Sequence, residues 1–167
     1  LNKAFNMNKL DEKYNYEKNL SATLGLDYKT KINNYNEFDF SIAQVINQKE
    51  NKKMASVSSM DEKLSDLVGS VSYKPNNISN IKLNFALDQN YQDINYNEIE
   101  TNFNFDPISF DFNYLSEKKH IGSKNYFKTR VKIKNKDDGL FAFETKRNLV
   151  TNSAEFYDLS YEYINDC

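Results

Sequence analysis

The chain has 167 residues, with 22 Lys+Arg against 24 Asp+Glu for a formal net charge of −2. That length fits one domain, and the charge balance gives no electrostatic pull toward nucleic acid. Mean hydropathy is −0.80 although Phe and Tyr make up 14 % of the chain, Trp is absent and Asn occurs 25 times. A chain of this kind either cannot bury a core or keeps half its side chains wet by design. No run of about 18 apolar residues exists, so no transmembrane helix is predicted.

Taken in order, the chain alternates. Leu20, Ala22, Leu24, Leu26 and Tyr28 are separated by Ser21, Thr23, Gly25, Asp27 and Lys29, a period of two that predicts a strand. Phe38, Phe40 and Ile42 predict a second, and Leu67, Gly69, Val71 and Tyr73 a third. Ile81 to Leu87, Ile99 to Phe105, Ile108 to Tyr114, Phe127 to Ile133 and Phe141 to Thr145 continue the series to eight. In the ninth, Glu155, Tyr157, Leu159, Tyr161 and Tyr163 are expected on one face, with Phe156, Asp158, Ser160 and Glu162 on the other. Met60 to Leu67 is the one weak helical candidate. The fold class is therefore all-β, an antiparallel meander of about nine strands.

The connections carry a second signal. Lys74-Pro75-Asn76-Asn77, Asp106-Pro107 and Lys136-Asp137-Asp138-Gly139 are compact turns, built on Pro at a fixed φ and on Asn and Gly that accept positive φ. Longer polar segments separate them: Gln48–Lys63, Asp88–Asn95, Ser116–Asn125 and Asn148–Ser153. Short and long connections in alternation are the habit of outer-membrane barrels, with the short turns on the periplasmic side. Strands of about ten residues also suit an apolar band of about 25 Å when tilted. By parity, Cys167 falls on the periplasmic side of such a barrel. Asp27, Lys29, Asp39, Asp111, Lys128, Arg130, Lys132 and Glu162 are then lumen residues. In a soluble β-sandwich the same residues form an ordinary solvated face. The start at Leu1 and the stop just after a turn lead us to expect a partial barrel domain over 1–167, incomplete at both ends.

Candidate chemistry is sparse. His120 has no companion His or Cys for a zinc site and lies in a polar loop. The pairs Asp11-Glu12, Asp61-Glu62 and Asp137-Asp138 occupy polar or turn segments, with no apolar pocket to split their pKa values. No phosphate loop, nucleophile elbow or Cys/His pair is present. Neither an enzyme nor a cofactor or metal is predicted. No fixed short period with recurring glycines suggests a solenoid. Cys167 is the one cysteine. Its alternatives are a small buried thiol or an exposed thiol that finds a partner in an oxidising compartment.

Two blocks carry a resemblance. Leu64-Ser65-Asp66-Leu67-Val68-Gly69-Ser70-Val71-Ser72-Tyr73 with Pro75, followed by Phe85-Ala86-Leu87-Asp88, forms the first. Lys146 to Thr151, Ala154 to Tyr163 and Asn165-Asp166-Cys167 form the second. In order and spacing they resemble the C-terminal barrel of the lipopolysaccharide-assembly outer-membrane family LptD (OstA), nearest to alphaproteobacterial members. The resemblance implies a large barrel holding a lipoprotein plug (LptE). It also implies a periplasmic bridge that delivers lipopolysaccharide for release among outer-membrane lipids. It further implies a disulfide from Cys167 to a cysteine of a periplasmic domain outside this stretch. Some members have two adjacent cysteines where this chain has Asp166-Cys167. The rivals are another outer-membrane barrel, porin-like or substrate-specific, and a soluble β-sandwich binding module.

Overall fold

The computed structural model describes residues 20–32, 35–52, 54, 56, 59–119, 123–135 and 139–163. Nine strands occupy them: β1 (Ser21–Lys31), β2 (Glu37–Asn47), β3 (Leu67–Lys74), β4 (Ser79–Leu87), β5 (Ile94–Phe105), β6 (Ile108–Glu117), β7 (Lys124–Lys134), β8 (Gly139–Asn148) and β9 (Ser153–Tyr163). They form one antiparallel sheet in the order β1 to β9, so that among the nine described strands each pairs with its sequence neighbours. All nine predicted strands are present, and there is no α-helix among the described residues. Among the described residues no helix is long and apolar enough to cross a membrane, which says nothing of crossing by strands.

Most strands run further than their apolar centres, because ladder hydrogen bonds do not require apolar side chains. Ser116 and Asn125, expected in a long loop, pair with each other, so the β6–β7 connection narrows to 118–123. The helical candidate Met60 to Leu67 is instead turn and extended chain. The Asn47 side chain donates to the Met60 and Glu62 carbonyls at 3.1 and 2.7 Å. Leu64 forms a bridge with Ile46. Those bonds take up backbone groups that a helix would have used.

Register fixes the faces, since directly opposed residues point the same way. One row runs Thr30, Phe38, Tyr73, Ile81, Thr101, Phe112, Thr129, Thr145 and Tyr157. The row one residue away runs Lys29, Asp39, Ser72, Lys82, Glu100, Asn113, Lys128 and Lys146. This alternation continues across the whole sheet. Of the charged residues in the nine strands, only Arg147, at the end of β8, stands on the apolar face. The sheet therefore has one aromatic-aliphatic face and one charged face.

The apolar face is uncovered. Leu24 is 63 % exposed and Leu159 72 %. The apolar side chains that are buried are Ala43, Val45, Met54, Ala86, Leu115 and Ala142, and no large side chain is fully buried among the described residues. A β-sandwich would bury its aromatic faces between two sheets. Here a single sheet presents them outward, so the sandwich expectation fails.

Aromatics make the apolar face continuous. Gly69 lies opposite Phe85, whose ring fills the space a Cβ would occupy. Phe141 and Tyr161 rings meet at 4.6 Å, and the Tyr161 ring also lies over Gly139. Tyr28, Phe38 and Tyr73 form a chain with centroids 6.3 and 6.4 Å apart. Aromatic cover of strand glycines restores contact area and pins register.

One face assignment needs correction. The register shifts between Lys146 and Arg147, with Lys146 opposite Phe156 and Arg147 opposite Ala154. Glu155 is the extra residue of this bulge. Its carboxylate lies 2.7 Å from Lys146 Nζ, so it belongs with the charged face rather than with Tyr157 and Leu159. A bulge breaks the period of two, and period was the only face signal available in the sequence.

Candidate functional site: the charged face

The middle of this face is a ladder of paired charges. Glu144 on β8 receives Lys128 at 2.8 Å and Arg130 at 3.2 Å, both from β7. Lys146 joins Glu155 and also lies 4.3 Å above the Tyr126 ring. Lys82 approaches Glu100 at 3.9 Å. Asp111, opposite Arg130, accepts from Asn102 Nδ2 at 2.8 Å. Glu98 is an acceptor hub for Asn84 Nδ2 at 2.9 Å, Tyr96 OH at 2.8 Å and Asn113 Nδ2 at 3.4 Å. Glu100, Asn102, Asp111, Asn113, Tyr126, Lys128 and Arg130 surround a shallow depression of about 370 Å³. These side chains reach solvent, which screens each pair and leaves it a weak contribution on its own. Their collective effect is a wet, amphoteric surface that offers donors and acceptors to sugars and phosphates alike.

Toward the long connections, the segment between β2 and β3 folds back. Ser65 N donates to the Val45 carbonyl at 2.9 Å, and the Ser65 hydroxyl accepts from Val45 N at 2.9 Å. Asp66, only 3 % exposed, donates its backbone N–H to Ser59 Oγ at 2.9 Å and accepts from Asn95 Nδ2 at 2.8 Å through its carboxylate. Asn95 is the bulged residue where β4 and β5 shift register. Lys119 Nζ lies 4.0 Å from Asp66 and 3.6 Å from Asp88. Three successive long connections are thereby tied together at one end of the sheet. The Tyr91 hydroxyl adds a bond to Gln44 at 2.9 Å.

The predicted lumen set falls together. Asp27, Lys29, Asp39, Asp111, Lys128, Arg130, Lys132 and Glu162 all share the charged face by register. The hubs Glu98 and Glu144 and the Asp66–Asn95–Lys119 tie were not singled out from sequence. Their only signal was membership of the polar alternation, and their partners come from other strands. Cys167, His120, the Asp137-Asp138 pair and Asp11-Glu12 lie outside the described residues. Asp61 and Glu62 contribute backbone carbonyls to the folded-back segment. No group of His, Cys, Asp or Glu able to hold a metal ion occurs among the described residues.

Comparison with curated proteins and with solved structures returned no match. The family model described as "LptD: LPS transport system D" matches residues 2–164. With nearly the whole chain aligned to it, and with an all-β meander segregated into an apolar and a charged face, this chain belongs to the lipopolysaccharide transport family LptD.

Proposed function

We propose that these strands are part of the wall of an outer-membrane barrel that passes lipopolysaccharide into the outer leaflet. The observation that carries the reading is the segregation of charge. Across nine strands the apolar face admits Arg147 alone, while the opposite face is a ladder of ions and amides. An apolar face open over this width suits acyl chains of a bilayer, and the charged face suits a water-filled interior. The amphiphile needs both: a polar route for sugars and phosphates, and an apolar exterior into which its acyl chains are released.

Among the described strands, β1 lies beside β2 and β9 beside β8, at the two ends of the order. In this reading the charged face surrounds an LptE-like lipoprotein plug, and a periplasmic bridge supplies the cargo. The short connections 32–36, 75–78, 106–107 and 135–138 are periplasmic, and the long ones face outward. β9 runs toward the short-connection side, which favours a periplasmic Cys167 bonded to a cysteine of the periplasmic domain.

The test uses the full-length protein carrying this segment, compared with its Cys167→Ser variant. Membrane extracts are run on gels boiled and unboiled, with and without reductant. Heat-dependent mobility together with a Cys167-dependent shift on reduction is the expected result. Heat dependence without the redox shift would remove the disulfide and leave a barrel of other cargo. A soluble product showing neither would overturn the membrane reading.

A further inference from the structure

Among the residues of the nine strands, Arg147 is the one charged side chain on the apolar face. Its own row is apolar as it approaches, through Leu83, Ile99, Tyr114 and Phe127, with Ala154 beyond it on β9. An arginine near a membrane rim needs no ligand, because its stem lies along apolar surface while its head reaches water. What sets Arg147 apart is the surface beside it and the way its head is held.

The next row toward the long connections changes character half-way across the sheet. On β2, β3 and β4 it is Ile42, Gly69 and Phe85; on β5, β6 and β7 it is Asn97, Ser116 and Asn125. Polar side chains thus begin in that row where the sheet approaches Arg147. The carboxylates nearest to Arg147 in sequence, Glu144 and Glu155, stand on the other face with Lys128, Arg130 and Lys146. Neither the β8–β9 connection, 149–152, nor the β6–β7 connection, 118–123, contains an acid. In the β4–β5 connection Asp88 lies against Lys119, and Asp93 stands on the β5 side, three strands from β8.

The guanidinium is oriented by a turn. Arg147 Nη2 donates to Asn152 Oδ1 at 2.6 Å. Asn152 has φ 52° in a turn that Asn148 Oδ1 closes by accepting from Val150 N and Thr151 N. A guanidinium has five N–H donors, so this bond leaves others for a ligand.

We propose that Arg147 and the polar rim beside it bind the phosphorylated sugar head of an outer-leaflet glycolipid, on the lipid side of the wall. The inference rests on the transport reading above and adds a place outside the barrel where released cargo is held. A phosphate presents acceptor oxygens in a geometry that the arginine fork matches. Asn97, Ser116 and the Asn125 amide nitrogen can meet sugar hydroxyls. Two residues further along the same face come Tyr114 and Phe127, and on β9 Tyr157 and Leu159 continue the apolar wall. The surface passes from ionic to polar to apolar in the order of the lipid's own parts.

The test places a photo-crosslinking residue at Ala154, across from Arg147, in the full-length protein in cells, with a control probe at Leu24 on the same face of β1. Adducts are separated by mass into lipopolysaccharide and glycerophospholipid, and heat-modifiable protein in the membrane establishes assembly. Arg147→Gln should lower lipopolysaccharide capture at Ala154 about tenfold, the scale of one charge-assisted hydrogen bond, and leave capture at Leu24 unchanged. Arg147→Lys keeps the charge without the fork and should fall between. Cells that enzymatically remove the lipid phosphates should show the same loss with the protein unaltered, so the site is tested even where a variant does not assemble. Equal capture at Ala154 with and without the guanidinium, or no loss on phosphate removal, would overturn the site while lipopolysaccharide at both probes upholds the transport reading. Glycerophospholipid alone at both probes would remove the transport reading and the site with it.

Discussion

Single residues decide where this sheet can and cannot change. Gly69 has no room for a side chain because Phe85 occupies it. Gly69→Val should destabilise the assembled protein by about 1–3 kcal/mol through overpacking, seen as unfolding at lower temperature in a gel-mobility series. An unchanged transition would mean that the Phe85 ring swings away at no cost. Glu155 shows the limit of reading residues from sequence. Its parity with Tyr157 is plain in the chain, yet the bulge turns it to Lys146. The Asp66–Asn95 bond joins residues 29 apart. Nothing local to either residue announces it.

At the scale of elements, the strands and their meander order were legible, and the two register shifts were not. Period-two patterning fixes each strand because one face must be apolar throughout, and a misplaced charge there is expensive. Turn positions were legible, but Asn76 and Asn77 were expected to take positive φ and neither does; Asn76 acts through its side chain instead. Asn76 Oδ1 accepts from Ile78 N, Ser79 N and Ser79 Oγ, and Asn148 Oδ1 from Val150 N and Thr151 N. Part of the asparagine surplus is thus spent closing connections. The β2–β3 segment was legible only as polar. Its folded-back course depends on Asn47, Val45 and Asn95, all outside it. Neighbouring positions on β4 give a direct test of facing. Leu83→Lys should destabilise by about 2–4 kcal/mol if it meets hydrocarbon at mid-depth, whereas Asn84→Lys should be tolerated. Equal sensitivity at the two positions, measured by denaturant titration in lipid vesicles, would contradict the assignment of faces.

For the whole molecule, the two ends of the sheet make different predictions. An epitope inserted in 149–152 should be labelled by antibody on intact cells, and one in 75–78 only after permeabilisation. The reverse pattern would invert the barrel. The strict segregation of faces also bears on how the wall is built. Suppose β7 joined β6 one position out of step. Lys128, Arg130, Lys132 and Lys134 would all turn toward lipid, and at about 2–4 kcal/mol for each at mid-depth such a mistake cannot persist. If the apolar face meets lipid as proposed, the charges of each strand disfavour its pairing out of step.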